Sequence, residues 1–189
     1  MRAFIAVTLP ADARATLAAY QDTLKHTVVD GVRWTPTEQL HITLRFVGEC
    51  RTEMVEPLRA LVRRVASETP PIQAAWQPID GAFPHRGAPR ILWAGLTTGE
   101  DRVASLARRV EEDVVALGFP PETRAFHAHV TLGRVDGSAR AVGQRLDAAA
   151  ARLPETPWLL QHTALIESRL LPQGAIHTVV EEAPLRGTV

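Results

Sequence analysis

The sequence predicts an α+β fold built from two similar halves, and two observations support this prediction. Apolar, β-branched runs recur along the chain with helix-like segments between them, but without the strict alternation of a doubly wound sheet. A His-apolar-Thr-Leu tetrapeptide occurs twice, as His41-Ile42-Thr43-Leu44 and as His129-Val130-Thr131-Leu132. The two histidines are 88 residues apart (129 − 41 = 88) in a chain of 189, which indicates an internal duplication in which each half forms one sheet with its helices. No low-complexity linker separates the halves, so we treat residues 1–189 as one domain with two lobes.

The first half begins with an apolar run over residues 2–9 that is typical of a buried strand. Pro10 opens a helix, and Thr52 can cap a second helix that is closed by Pro70 and Pro71. The predicted elements are, in order, strand 2–9, helix 11–26, strand 31–35, strand 40–47, helix 52–67 and a long or interrupted strand 72–83.

The second half repeats much the same order after a loop over residues 83–90. Apolar residues recur at helical spacing from Val103 to Val114, and Gly118 ends the helix that they predict. The predicted elements are strand 91–96, helix 99–117, strand 126–135, helix 139–153 and a last hairpin of residues 157–167 and 175–181 joined across 171–174.

Composition narrows the possible function classes. The net charge is zero, with 21 basic and 21 acidic residues, which argues against broad non-specific binding to long nucleic acid. Cys50 is the single cysteine, so an intramolecular disulfide is impossible, and we do not expect a catalytic thiol. The N-terminus does not read as a signal peptide and no stretch reaches the length of a membrane span, so we expect a cytoplasmic protein with no membrane partner.

The repeated tetrapeptide is the strongest functional signal. On a strand, residues i and i+2 share a face, so His41 lies beside Thr43 and His129 beside Thr131, while the residues between them turn into the core. One His-x-Thr is usually structural, but two copies in similar contexts half a chain apart favour a shared function. Two imidazoles and two hydroxyls could then converge on one anionic atom.

The sequence lacks the motifs of several other classes of catalytic or binding site. A zinc site needs a third ligand, and neither tetrapeptide has Asp, Glu or Cys on the same face. The sequence also lacks a Gly-x-Ser-x-Gly elbow and a phosphate-binding Gly-x-x-x-x-Gly-Lys-Ser/Thr loop. We therefore expect neither a metal nor a nucleotide cofactor.

Acid–base catalysis at phosphorus fits the residues that remain. One of His41 and His129 can remove a proton from the attacking oxygen while the other protonates the leaving oxygen. The hydroxyls of Thr43 and Thr131 can donate hydrogen bonds to the non-bridging phosphoryl oxygens.

Other residues near the motifs could assist. Arg134, five residues after the second histidine, is the best candidate to hold phosphate, and Arg45 shares the face of the first histidine if its strand is regular. Phe46 occupies the position in the first copy that Arg134 occupies in the second, five residues after the histidine, and could pack in the core or stack a base. Strict alternation puts Phe46 and Arg134 on the side opposite the histidines, so they reach the cleft only through a twist or a bulge. His127 shares strand parity with the second histidine and is a candidate contact, whereas His162 looks like a bystander.

The sequence resembles the two-histidine (2H) phosphoesterase superfamily and is most similar to the bacterial and archaeal RNA 2′,3′-cyclic phosphodiesterases, also called 2′-5′ RNA ligases. The resemblance covers nearly the whole chain and includes residues 2–7, Trp34, 40–49, 83–84, 89–95, 126–134 and 167–170. It departs from the usual pattern at Ala128, where relatives often have proline, and at His177, where tyrosine is common. It implies a bilobal fold in which two antiparallel sheets line a central cleft with helices outside.

The resemblance also implies an activity and roles for residues. It implies hydrolysis of a 2′,3′-cyclic phosphate on an RNA end to a 2′-phosphate without metal or nucleotide cofactor. We expect the protein to be a monomer. His41 would protonate the O3′ leaving group and His129 would activate water, while the phosphate would be held by Thr43, Thr131 and Arg134, and the terminal base would stack on Phe46. If an RNA 5′-hydroxyl replaces water, the product is a 2′-5′ linkage, so reversible ligation is open.

Two alternatives stay open at this point. One is a related 2H activity on a small cyclic nucleotide or a 2′-5′ oligonucleotide. The other is a non-catalytic RNA- or nucleotide-binding module, although the intact His and Thr pairs weigh against it.

Overall fold

The computed structural model describes residues 1–149, 151–171 and 174–188. Its helices are α1 (Ala11–Thr27), α2 (Val55–Glu68), α3 (Glu100–Ala116) and α4 (Ala139–Ala148). Its strands are β1 (Arg2–Thr8), β2 (Val32–Trp34), β3 (His41–Glu49), β4 (Ile72–Trp76), β5 (Gly81–Phe83), β6 (Ile91–Thr98), β7 (His129–Val135), β8 (Trp158–Leu160), β9 (His162–Leu171) and β10 (Gly174–Pro184). The mixed α+β prediction is confirmed.

The strands form one continuous antiparallel path in the order β10-β9-β1-β3-β7-β6-β4-β8, with β2 paired to β7 and β5 to β6. The first lobe contains β10, β9, β1 and β3, and the second contains the remaining strands. The two lobes meet where β3 and β7 pair, at Ile42 opposite Val130. Both His-x-Thr strands therefore lie side by side at the centre of the molecule.

The halves of the chain do not each form one sheet, contrary to our expectation. Strands β9 and β10, from the second half, complete the first lobe by pairing β9 with β1. Strand β4, from the first half, pairs with β6 in the second lobe. Hydrophobic alternation identifies a strand and its buried face, but it does not say which distant strand will be its neighbour.

The main core lies between the sheet and the helices. The apolar residues of the two tetrapeptides belong to it, since Ile42, Val130 and Leu132 are 0% exposed and Leu44 is 5% exposed. This confirms their predicted inward direction. The opposite face of the sheet, which we call the cleft face, carries a smaller apolar cluster of Phe4, Ala6, Ala164 and Ile166.

Some predicted boundaries differ from the observed ones. Thr52 does not cap α2; it begins a single 3-10 turn, and α2 starts at Val55 without a side-chain cap. The predicted strand 157–167 is broken at Gln161 into β8 and β9, and the strand 72–83 is interrupted. Strand β7 begins at His129 rather than at 126, and α4 ends at Ala148. The centre of the predicted 171–174 turn, at 172–173, lies outside the described residues. None of the described helices is both long and apolar enough to cross a bilayer.

Candidate active site

Each His-x-Thr strand contains a β-bulge at the leucine of its tetrapeptide. In β3, Thr43 pairs with Ala6 and Arg45 pairs with Ile5, so Leu44 is the extra residue. In β7, Thr131 pairs with Trp93 and Gly133 with Leu92, so Leu132 is the extra residue. A bulge shifts the alternation of side chains by one position. Both strands therefore reverse their facing immediately after the motif.

This reversal brings the fifth residue after each histidine to the cleft face. Phe46 pairs with Phe4, and their ring centroids are 5.9 Å apart. Arg134 is exposed and contributes to the pKa of His129, so its guanidinium lies on the histidine side. The bulges thus bring Phe46 and Arg134 to the cleft face, as the sequence analysis required if they are to reach the cleft.

The same reversal removes Arg45 from the cleft, where strict alternation had placed it. Its side chain is 8% exposed and its guanidinium donates to the carboxylate of Glu111 on α3 and to the carbonyls of Phe46 and Pro120. The expected shared face with His41 is therefore wrong, and Arg45 instead links the bulge to α3.

The two imidazoles are oriented in the same way. Nδ1 of His41 lies 2.7 Å from the carbonyl oxygen of Gln39, and Nδ1 of His129 lies 2.7 Å from that of His127. Because a carbonyl oxygen only accepts, each Nδ1 carries hydrogen and donates, and each Nε2 is left to act in the cleft. Nε2 of His41 lies 3.0 Å from Oγ1 of Thr43.

Burial keeps both imidazoles neutral near pH 7. It lowers the pKa of His41 to about 4, against a stabilising hydrogen bond to Gln39, and the nearby charges of His177 and His129 lower it further. Burial also lowers the pKa of His129, with smaller effects from the charges of His127 and Arg134. The charge of His129 is thus felt at His41, which indicates that the two imidazoles lie near each other.

An aromatic cluster surrounds the first imidazole. The ring of Phe4 stacks on His41 with centroids 4.8 Å apart, and His177 approaches His41 edge-on at 5.3 Å. Nδ1 of His177 is buried without a hydrogen-bond partner among the described residues, and burial lowers the pKa of His177. These contacts hold the first imidazole in a fixed, largely apolar setting.

A second aromatic cluster surrounds the other imidazole. His129 contacts Phe83 edge-on at 5.2 Å, and His127 packs against Trp93 at 4.6 Å and against His129 at 5.8 Å. Strand β5 leaves room for the indole only because Gly81 has no side chain, since a Cβ there would lie 2.1 Å from Trp93. His127 thus lies beside the second imidazole, in the segment just before β7.

A cavity of about 350 Å³ opens beside His41 in the first lobe. Its wall combines polar groups with apolar side chains of β9 and β10, and it includes Arg14, Gln39, His162, Ile166 and Val179. His162, which the sequence had suggested to be a bystander, is one of these lining residues. The cavity is large enough to admit a small organic group such as a nucleoside.

The single cysteine and the loop over residues 83–90 both have defined positions in the structure. Cys50 is 6% exposed and belongs to the main core. Arg86 fastens the loop over residues 84–90, because it binds the Asp80 carboxylate at 2.9 Å, the Leu146 carbonyl at 2.8 Å and the Asp147 carboxylate at 3.2 Å. Its guanidinium is occupied by these contacts.

Sequence reasoning missed the aromatic residues that pack on the histidines, Phe4 and Trp93. Their strands were predicted, and the alternation of those strands was readable from the sequence. What was lacking was the register that puts Thr8 opposite His41 and Gly95 opposite His129.

Comparison with known proteins identifies the family. The model of the LigT-like phosphoesterases matches residues 7–93 and 96–177. An RNA 2′,3′-cyclic phosphodiesterase of Thermus thermophilus is 33% identical over 99% of this chain and 91% of its own length. One of Methanothermobacter thermautotrophicus is 30% identical over 96% of this chain and 97% of its own.

Solved structures agree with this result. The crystal structure of TT0787 of Thermus thermophilus has a TM-score of 0.82, 31% identity and full coverage of both chains. Apo LigT of Escherichia coli shares the fold, with a TM-score of 0.76 over 97% of this chain and 96% of its own, at 22% identity. The chain belongs to the family of LigT-like phosphoesterases.

Proposed function

We propose that this protein hydrolyses 2′,3′-cyclic phosphates at RNA ends to 2′-phosphates without a metal, with His41 and His129 as the acid–base pair. The observation that carries this proposal is the matched orientation of the two imidazoles. Each Nδ1 donates to a backbone carbonyl two residues earlier, which leaves each Nε2 as the ring nitrogen that can exchange a proton in the cleft; that of His41 also lies 3.0 Å from Oγ1 of Thr43.

In the proposed reaction, His129 acts as the base. Its Nε2 takes a proton from water as the water oxygen attacks phosphorus. The P–O3′ bond breaks, and Nε2 of His41 gives its proton to O3′, which leaves a 2′-phosphate. The pair of histidines has then exchanged protonation states, and proton exchange with solvent restores them.

The lowered pKa values suit the base as the free protein presents it, whereas the acid must first be charged by the substrate. Burial, with smaller effects from the charges of His127 and Arg134, lowers the pKa of His129 and favours the neutral form that a base needs. His41 must be protonated to act as the acid, and burial lowers its pKa to about 4 in the free protein. A phosphate anion beside His41 favours the imidazolium, so we expect substrate binding to raise that pKa and charge the acid.

The other candidate residues would bind the substrate. The hydroxyls of Thr43 and Thr131 would donate to the non-bridging oxygens, and Arg134 would neutralise their charge. Phe46 is 50% exposed on the cleft face, which suits a stacking surface for the terminal base. His127 would act by orienting His129 through its carbonyl group.

The same geometry would accept an RNA 5′-hydroxyl in place of water and produce a 2′-5′ linkage. Water is far more abundant, so we expect hydrolysis to dominate and ligation to be a minor, reversible reaction. Both histidines and both threonines come from one chain, and we expect the protein to act as a monomer in the cytoplasm.

Product analysis on a short RNA with a 2′,3′-cyclic end tests the proposal. We expect a 2′-phosphate product, loss of activity in His41→Ala and in His129→Ala, and little effect of EDTA. His26→Ala is the matched control, because that histidine is exposed on α1. A 3′-phosphate product would show that O3′ is not the leaving group. Strong inhibition by EDTA, or full activity in either variant, would contradict the two-histidine mechanism.

A further inference from the structure

A row of cross-strand neighbours crosses the second lobe beside the proposed catalytic residues. The directly opposed residues on strands β5, β6, β7 and β2 are, in order, Phe83, Ile91, Arg134 and Arg33. Directly opposed residues on neighbouring strands share a face of the sheet. One end of this row is the aromatic ring that contacts His129, and the other end is a pair of arginines.

Arg33 lies on the cleft face together with Arg134. Its chain neighbours Val32 and Trp34 turn the other way, where they pack against the main core. A Cβ added at Gly133 would lie 2.7 Å from Val32 and 3.3 Å from Trp34, so Gly133 also faces the core side. Arg33 and Arg134 alternate with these residues and are both exposed.

Arg33 and Arg134 place two positive charges at directly opposed positions of neighbouring strands. Like charges directly opposite each other on neighbouring strands repel, and arginine stays protonated at any working pH. Neither Arg33 nor Arg134 has a carboxylate within ion-pair distance among residues 1–149, 151–171 and 174–188. An anion bound across the pair would relieve this repulsion.

We infer that Arg33 binds a second phosphate of the RNA strand, next to the reactive one, so that the protein favours an oligonucleotide over a mononucleotide. The inference rests on the proposed function, in which Arg134 holds the reactive phosphate. Neighbouring strands are about 4.8 Å apart, so Arg33 extends the cationic surface by one strand beyond Arg134. Consecutive phosphates along one RNA strand present a row of negative charges that could bind to Arg134 and Arg33 in turn.

The surroundings favour RNA over an acidic peptide as the partner. The row combines cations with the ring of Phe83, and single-stranded nucleic acid is bound by charge together with aromatic stacking. The chain as a whole has no net charge, with 21 basic and 21 acidic residues, so this cationic patch is local and suits a short RNA end.

Kinetics on two substrates test the inference. One is a mononucleoside 2′,3′-cyclic phosphate, and the other is a tetranucleotide that ends in the same group. We expect Arg33→Ala to raise KM for the tetranucleotide roughly two- to fivefold, as for loss of one solvent-exposed ionic contact, and to leave the mononucleotide unchanged. The slope of log KM against log salt for the tetranucleotide should fall by about 0.7.

Two further variants sharpen the experiment. Arg33→Gln keeps most of the side chain and should show the same selective effect, which separates charge from packing. Arg108→Ala removes the same charge from the exposed surface of α3, away from the cleft face, and should leave both substrates unaffected.

Each remaining outcome contradicts the inference. An equal rise in KM for both substrates would place Arg33 at the reactive phosphate or in the fold. No change in KM for either substrate, or an equal effect of Arg108→Ala, would show that Arg33 does not bind a second phosphate. If the wild-type protein hydrolyses neither substrate, the proposed function fails and this inference fails with it. If it hydrolyses both and Arg33→Ala changes nothing, the inference alone fails.

Discussion

Replacing the buried Gln21 with methionine would test how α1 holds the bulge in the second His-x-Thr strand. Gln21 is 2% exposed. Its side-chain amide donates to the carbonyl of Leu132 at 2.7 Å and to the carbonyl of Thr35 at 2.9 Å. Leu132 is the extra residue of the bulge, so this amide links α1 to the point where β7 reverses its facing.

The expected loss of stability follows from these contacts. Methionine has a similar volume and removes both hydrogen bonds, each of which contributes about 1 kcal/mol. The carbonyl of Leu132 keeps a hydrogen bond from the N–H of Thr35 at 2.9 Å. The carbonyl of Thr35 loses its side-chain donor in a partly buried position. The free energy of unfolding should therefore fall by about 3 kcal/mol.

The variant should also change substrate binding. Arg134 follows the bulge by two residues, so a looser bulge should misplace its guanidinium. We expect KM for a 2′,3′-cyclic phosphate to rise several-fold with a smaller change in kcat, because neither histidine is touched.

Urea unfolding and steady-state kinetics measure both effects. Gln161→Met is the matched control, because Gln161 is exposed between β8 and β9, and it should change stability by less than about 0.5 kcal/mol. If Gln21→Met lowers the free energy of unfolding by no more than this control, the amide does not support the bulge and the reasoning is wrong.

Three further predictions concern stability and packing. Burial lowers the pKa of His41 from 6.5 to about 4, so the unfolded chain binds the proton more tightly. Stability should then decrease by up to about 3 kcal/mol as pH falls from 6.5 to 4, and urea unfolding of His41→Asn should lack that part of the slope. Glu111→Gln should lower the free energy of unfolding by about 2 kcal/mol in urea, because the buried guanidinium of Arg45 loses its carboxylate while Glu111 itself is 27% exposed. Gly81→Ala should destabilise the protein by about 1–3 kcal/mol and alter tryptophan fluorescence, because its Cβ would lie 2.1 Å from the ring of Trp93.

Controls separate these effects from general ones. Gly87→Ala introduces only ordinary contacts, the nearest at 3.4 Å, and should leave tryptophan fluorescence unchanged. Glu53→Gln removes an exposed carboxylate and should be nearly neutral. A pH slope that persists in His41→Asn, or a Gly81→Ala protein with native fluorescence, would contradict the corresponding prediction.

The tetrapeptides made much of the site predictable because strand alternation is local. Ile42 and Val130 were expected in the core and are fully buried there. The bulges were not predictable, since a bulge is defined by the register between two strands and leaves no fixed mark in one of them. This is why Arg45 was placed on the wrong face.

Strand pairing limited the prediction of the fold. Most strands were placed within a few residues, and α+β was the correct class. The sequence could not indicate that β9 would pair with β1, because the energy of that pairing comes from contacts across the whole chain. The aromatic contacts of Phe4 and Trp93 with the histidines depend on the same long-range register.

Each half of the sequence contributes strands to both lobes, and this has a consequence for how the molecule unfolds. The first lobe needs β9 and β10, and the second needs β4, so neither half of the sequence contains a complete sheet. Neither half of the chain can unfold without withdrawing strands from both lobes, and we therefore expect one cooperative transition. The pairing of Ala3 with Glu167 gives the fold a high contact order, which slows folding. The relative position of the two imidazoles therefore depends on the free energy of unfolding of the whole chain and not on that of one lobe.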